Sequence, residues 1–163
     1  MEIRTAAVSD LDHLANIWHS RWQDVHAPIL SAELARYQTF DSFRDKLEAT
    51  LPNIRIAEVY GQLVGFSIIK EDELYQLYVS SEVRGTGIAA ALLADAEKIM
   101  RSRGVESAWL ACAIGNKRAA DFYSENGWRY WGNMVCELPS PQGENYLEVW
   151  RYEKDLVEYL IDL

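Results

Sequence analysis

The sequence predicts an α+β domain on one central mixed, mostly antiparallel sheet of about seven strands, with helices on both faces. Three observations predict it. A β-hairpin signal over residues 54–70 continues into a third strand that ends at Val79. Helical periodicity begins abruptly after a glycine-bearing turn at 84–87. A short apolar run from Ser107 to Ile114 then makes the stretch from Glu73 onward one β-α-β crossover. At 163 residues with 49% hydrophobic side chains, the chain can bury one core and is short for two, so residues 1–163 are read as a single domain.

The elements follow in order. A strand from Glu2 to Ala7 runs into Ser9-Asp10-Leu11-Asp12, a helix start that resembles a capping box. The next helix sets Leu11, Leu14, Trp18, Trp22 and Val25 near one face, and Pro28 ends it. A second helical pattern spans about Ser31 to Thr50, stopped by Pro52. Ile54 to Tyr60, Gly61-Gln62 and Leu63 to Lys70 form the hairpin, and Glu73 to Val79 completes an antiparallel meander. Ile88, Leu92, Ala96 and Ile99 keep helical spacing up to Gly104, where a left-handed cap is expected. Ser107 to Ile114 reads as a buried strand reached by a right-handed crossover. Asn116 to Asn126 is a short helix closed by Gly127. Two strands, about Trp128 to Leu138 and Asn145 to Lys154, finish the sheet around a Pro139 to Gly143 loop, and Asp155 to Leu163 reads as a last helical turn or two.

Composition narrows the function. A net charge of -9 and a pI near 4.8 disfavour nucleic-acid binding, which draws on Lys and Arg to neutralise phosphates, and suit a cationic partner better. No apolar run approaches the roughly 20 residues of a membrane span, so a soluble, cytoplasmic protein without a membrane partner is expected. Cys112 and Cys136 lie in predicted strands without Cys-x-x-Cys spacing or a nearby His. They read as buried thiols, and no metal is implied.

The richest stretch is Leu77-Tyr78-Val79-Ser80-Ser81-Glu82-Val83-Arg84-Gly85-Thr86-Gly87-Ile88-Ala89-Ala90, a strand that ends in a glycine turn and opens a helix. Successive amides of Arg84, Gly85, Thr86, Gly87, Ile88 and Ala89, near the positive end of the helix dipole, can converge on one anion, and a diphosphate suits such a concavity. The pattern also satisfies a dinucleotide fingerprint, with Glu106 near the distance of its ribose-binding acid. That acid belongs at the end of a strand, whereas Glu106 stands at the start of one, and the turn follows an antiparallel meander; a dehydrogenase is disfavoured.

Leu77 to Leu93, joined to Asn116-Lys117-Arg118-Ala119-Ala120-Asp121-Phe122-Tyr123-Ser124-Glu125-Asn126-Gly127-Trp128, resembles the GNAT superfamily of acetyl-CoA-dependent N-acetyltransferases. Arg84-Gly85-Thr86-Gly87 matches the core of its first motif. Glu82 departs from the Gln or Arg usual at its position and is expected to face solvent. The resemblance implies acetyl-CoA as cosubstrate, with the strand at Glu73 to Val79 splayed from the strand at Ser107 to Ile114. Pantetheine would pair with main-chain groups of Leu77 and Val79, and Asn116 would cap the short helix or reach the pantetheine arm. Ala119 and Ala120 are small enough for a cofactor alongside, and Phe122 reads as core. Tyr123 falls where the family stabilises or protonates the departing thiolate, and Glu73 falls where some members carry a catalytic base. The implied reaction is acetyl transfer to a primary amine by direct attack in a ternary complex. A regulatory acyl-CoA-binding domain of the same fold and an enzyme for longer acyl groups stay open.

The acceptor, a small-molecule or peptide amine, is expected near Trp18, Trp22, Asp24, His26, Ile29 and the Pro139 to Gly143 loop, with Tyr75 and Tyr78 bordering it. His13 and His19 lie in the first helix, His26 beside Pro28 could face the substrate but reads as a surface residue, and a homodimer is left open.

Overall fold

The structure, a computed structural model, describes residues 1–25, 39–138 and 145–157. These divide into two compact units, the smaller within Thr5–Ile54 and the larger within Met1–Arg4, Arg55–Leu138 and Asn145 onward.

In the smaller unit the Asp10 carboxylate reaches back to accept from the Ala7 amide at 2.7 Å, so Asp10 is the acid that caps the helix entry. Helix α1 (Leu11–Val25) buries Leu11, Leu14 and Ala15. Helix α2 (Phe40–Ala49) starts on Thr39, whose hydroxyl accepts from the Ser42 amide at 3.1 Å, and buries Phe43 and Leu47. Phe43 is the hub of this unit: the rings of Trp18, His19 and Trp22 lie 4.8, 5.7 and 6.3 Å from its own. His19 is half-buried against Phe43, while His13 is exposed. Arg44 closes the pair of helices on Asp12 at 2.7 Å. The sequence pattern placed a longer second helix; its residues 31–38, the positions of His26, Pro28 and Ile29, the side chain of Asp24, the 139–143 loop and residues 158–163 lie outside the described residues.

The sheet holds β1 (Glu2–Thr5), β2 (Ile54–Val59), β3 (Gln62–Lys70), β4 (Glu73–Val79), β5 (Ser107–Ala113), β6 (Arg129–Leu138) and β7 (Asn145–Asp155) in the order β1-β2-β3-β4-β5-β7-β6. It is the mixed, seven-stranded α+β architecture expected. From β3 onward β4–β5 is the one parallel pairing, and β7 inserts antiparallel between β5 and β6. Asp155 remains in β7 instead of opening a helix. The β2–β3 turn carries positive φ at both Tyr60 (51°) and Gly61 (75°), the requirement of a primed two-residue hairpin.

Helix α3 (Ile88–Ser102) packs Leu93, Ala96 and Met100 with Leu74, Ala108, Leu110, Cys112, Trp128 and Tyr152 in one core. Each fully buried Leu or Met there contributes about 1.5–3 kcal/mol. Gly65 of β3 permits this packing, because a Cβ on it would lie 2.7 Å from the Tyr78 carbonyl oxygen and 2.8 Å from Leu92 Cδ1. The helix ends in a Schellman motif, with Val105 N–H to Met100 O at 3.0 Å and Gly104 N–H to Arg101 O at 3.1 Å. Helix α4 (Lys117–Glu125) ends the same way, Trp128 N–H bonding Tyr123 O at 3.0 Å. Lys154 of β7 pairs with the buried Glu97 of α3 and donates to Asn126 O at 2.9 Å, tying the end of α4 to both. Among the described residues no helix is long and apolar enough to cross a membrane.

Candidate functional site

β4 is the central strand of the sheet, and its two edges differ. Toward β3 it is paired from Glu73 to Val79, whereas toward β5 the register holds only at Glu73 opposite Trp109. The two parallel strands diverge from that point. The divergence coincides with an irregularity on the paired edge: Gln76 faces Ile68 and Leu74 faces Ile69, so Tyr75 is an extra residue, a bulge that bends the strand. The consequence shows in burial. Six successive residues of β3, Val64 to Ile69, are buried, while in β4 only Leu74 is. Leu77 and Val79 stand on the diverging part, with side chains half-buried against the cores beneath α3.

The chain leaves β4 through Ser80, a one-turn 3-10 segment (Ser81–Val83) and the glycine turn. Glu82 is exposed, and so is the run from Arg84 to Gly87. Gly85 and Gly87 adopt φ of 80° and 85°, and Gly87 is the N-cap of α3 with ψ of 2°. A Cβ on Gly87 would meet nothing within 4 Å; glycine is required by its left-handed backbone, not by crowding from the protein. Two of the six amides that the sequence assigned to an anion are engaged in the turn. Arg84 N–H bonds Ser81 O at 3.4 Å and Thr86 N–H bonds Val83 O at 3.3 Å, while the Thr86 hydroxyl also donates to Val83 O. The amides of Gly87, Ile88 and Ala89 belong to the start of the helix, where no intrahelical carbonyl is available. The expected amides not engaged within the turn are thus those of the helix start and Gly85.

Because β4 and β5 run parallel, their C-terminal ends lie on the same side of the sheet. The glycine turn follows one and α4 follows the other, so the two motifs flank the mouth of the divergence. The Asn116 side chain accepts from the Ala119 amide at 3.3 Å and caps α4. Tyr123, half-buried, packs its ring 5.5 Å from Phe122, 6.3 Å from Trp128 and 6.2 Å from Tyr152.

Glu73 lies at the other end of β4, where the strands still pair. Glu73 and Val79 are six residues apart in a seven-residue strand, or about 20 Å at roughly 3.3 Å per residue. Burial pushes the Glu73 carboxyl above the ordinary carboxylate range against the opposing pull of Lys70, with Asp72 adding to the rise and Arg151 reducing it. Tyr75 is pushed up as well, by burial and then by Glu73 and Cys136, and Lys70 Nζ sits 4.5 Å from the centre of its ring. Both cysteines are free; Cys112 is buried, Cys136 is half-buried, and burial raises both thiols.

The sequence reading missed the surroundings of Glu73. Trp109 donates its indole N–H to Asp72 at 3.1 Å, and Arg151 lies over its ring. The alternation of β5 carried a signal for this: Ala108, Leu110 and Cys112 face the core, which turns Trp109, Ala111 and Ala113 to the other side. Arg151 had no local signal, since the order of β5, β7 and β6 alone brings it there.

The sequence profile of the acetyltransferase (GNAT) family matches residues 11–128. The spermidine N(1)-acetyltransferase of Thermoplasma acidophilum is 27% identical over 142 residues, which cover 79% of this chain and 88% of that protein. An N-acetyltransferase from Staphylococcus aureus Mu50 has the same fold, with a TM-score of 0.74 at 20% identity over 96% of this chain and 98% of the other. PaiA N-acetyltransferase from Thermoplasma acidophilum, solved in complex with coenzyme A, gives a TM-score of 0.66 at 24% identity, over 94% and 98% of the two chains. With that profile spanning both motifs, and with a seven-stranded mixed sheet to match, the chain belongs to the GNAT family of acetyltransferases.

Proposed function

We propose that this protein transfers the acetyl group of acetyl-CoA to a primary amine by direct attack within a ternary complex. The observation that carries the reading is the divergence of β4 from β5 between the glycine turn at one end and Glu73 at the other. Coenzyme A suits the groups present. Its diphosphate matches the free amides at the start of α3 and its dipole, and its two pantetheine amides match the unpaired main chain of β4 at Leu77 and Val79, which would otherwise lack partners. Its thioester supplies an activated acyl group.

The rest is the work of side chains. A protonated amine cannot attack a carbonyl, so Glu73 accepts its proton, directly or through water; a carboxyl raised by burial is a better base near neutral pH than an ordinary one. As nitrogen bonds to the acyl carbon, the carbon–sulfur bond breaks and sulfur departs with its electron pair. Tyr123 donates its hydroxyl proton or a hydrogen bond to that sulfur, a contribution of roughly 100- to 10,000-fold. Asn116, by capping α4, holds the helix that carries Tyr123.

The test is release of free thiol from acetyl-CoA against a panel of amines, followed by single turnover of Tyr123→Phe at saturating substrates. Thiol release that depends on the amine, slowed within that range by loss of the hydroxyl, is expected. No release with any amine would leave a binding domain; wild-type turnover in a folded Tyr123→Phe protein would return Tyr123 to the core.

A further inference from the structure

Around Arg151 of β7 lies a group of side chains that the transfer chemistry leaves unused. Directly beside Arg151 on the neighbouring strands stand Ala111 and Gly132, two of the smallest residues, which leave room for its long side chain. Two indoles hold its end: Cζ is 4.6 Å from the ring centre of Trp109 and 5.3 Å from that of Trp131. Trp131 is itself the extra residue of a bulge in β6, between Tyr130 and Gly132. Such rings attract a guanidinium through their faces and leave its in-plane N–H fork free.

The hydrogen bonding of Arg151 is correspondingly poor. Its Nε is buried and makes no hydrogen bond among the described residues, and Glu153 Oε2 stands 3.7 Å from it. Among the described residues one terminal nitrogen meets only the Met134 sulfur at 4.0 Å, a weak acceptor. A guanidinium has five N–H donors, and leaving a desolvated donor without an acceptor is costly. The side chain keeps 26% of its surface exposed, and its terminal nitrogens, held between aromatic faces, are the donors that an anion from outside can meet. Trp109, on whose ring the guanidinium rests, is the residue paired with Glu73 between β5 and β4, so the group stands at the Glu73 end of β4.

We infer that Arg151 is the anchor for an anionic group of the acceptor, and that the acceptor is an amino acid or a similar amine bearing a carboxylate. The carboxylate lies on the Arg151 fork between Trp109 and Trp131, and the amine lies at Glu73. This deepens the acetyl-transfer reading and rests on it for the place of the amine. Charge pattern favours a zwitterion. Asp72 and Glu73 supply negative charge on one side and Arg151 positive charge on the other, which matches an ammonium and a carboxylate together. A polyamine would set a cation against the guanidinium, and a doubly charged phosphate would meet Glu153 as well as Arg151.

The experiment uses the common amino acids and their carboxamides as matched probes, with thiol release for turnover and isothermal titration calorimetry for binding. The wild-type protein should prefer at least one acid over its amide by about 10- to 100-fold in kcat/KM, the value of a charge-assisted pair of 1.5–3 kcal/mol. Arg151→Gln should bring that ratio close to one through the KM of the acid. Arg151→Lys, which restores charge without the fork, should recover part of it. Thermal melts show whether each variant is folded. Equal use of acid and amide by the wild type, a ratio unchanged in Arg151→Gln, or no binding of any amino acid would overturn the anchor, even if polyamines were acetylated. Calorimetric binding of an acid that Arg151→Gln loses, with no thiol released from acetyl-CoA, would keep the anchor and remove the transfer reading.

Discussion

The two edges of β4 carry the same seven residues and have opposite fates. On one edge the strand is hydrogen-bonded to β3 over its whole length and contributes to a core in which six successive β3 residues are buried. On the other it meets β5 at Glu73 and then departs. Unpaired main-chain groups in the middle of a sheet are costly, and native structures satisfy nearly all of them. The paired edge therefore builds stability, and the open edge is where the proposed coenzyme, with amides of its own, would complete the sheet. The difference arises at one inserted residue, Tyr75, since the bend of a bulge is what turns the second half of the strand away.

If that division holds, substitutions at the open edge should abolish ligand binding and leave folding, and those at the paired edge should do the reverse. The largest effect is expected from Gly87→Val. It forces a β-branched residue to a φ of 85° and puts a side chain where an anion would meet the helix start. The stabilisation by acetyl-CoA in a thermal melt, about 2.7 kcal/mol at 100 times Kd, should vanish. Gly61→Val supplies the control, because Gly61 has a φ of 75° in a hairpin turn remote in sequence from the motif. It should cost comparable strain and retain the acetyl-CoA shift. An equal loss of the shift in both would assign the effect to strain.

Gly65→Ala probes the paired edge. Its new methyl would stand 2.7 Å from the Tyr78 carbonyl oxygen and 2.8 Å from Leu92 Cδ1. The Leu92 methyl can turn aside and the backbone oxygen cannot, so a destabilisation of about 1–3 kcal/mol is expected by chemical denaturation. The acetyl-CoA shift should survive. A neutral Gly65→Ala would mean that β3 and β4 slide more readily than their register implies.

What could be read from sequence divides along a similar line. Local features were legible because local chemistry causes them: left-handed caps at Gly104 and Gly127, the Asn116 cap, the glycine turn before α3, and the hairpin at Gly61. The bulge at Tyr75 was not, because an extra residue appears only when two strands are counted against each other, and the residues of β4 look alike whether paired or displaced. The cluster at Arg151 was hidden for the same reason: β7, last in sequence, lies between β5 and β6. The Arg84 and Thr86 amides were assigned to a ligand because nothing in their identity shows that the turn bonds them internally.

The smallest effect in free energy, and the sharpest in meaning, concerns Glu73, which sits where the two edges of β4 meet. Burial raises its carboxyl above the ordinary range, so the folded protein holds that proton more tightly than the unfolded chain does. The resulting stabilisation is complete below the unfolded carboxylate pKa and is lost as pH rises through the folded value. At neutral pH the ionised side chain is a net cost, which Glu73→Gln removes. The variant should therefore melt slightly higher than wild type near pH 7, with the advantage shrinking as pH falls into the carboxylate range. Turnover should move the other way. A base must be ionised, so wild-type activity should fall on the acid side at a pH above that of a free carboxylate, and Glu73→Gln should lose most near neutral pH and less at high pH, where more of the amine is already unprotonated. Thermal melts and kcat/KM profiles over the same pH series measure both. A uniform loss of turnover across pH would make Glu73 a binding group, and a lower melting temperature at pH 7 would show that Lys70 and Arg151 outweigh the desolvation of its charge.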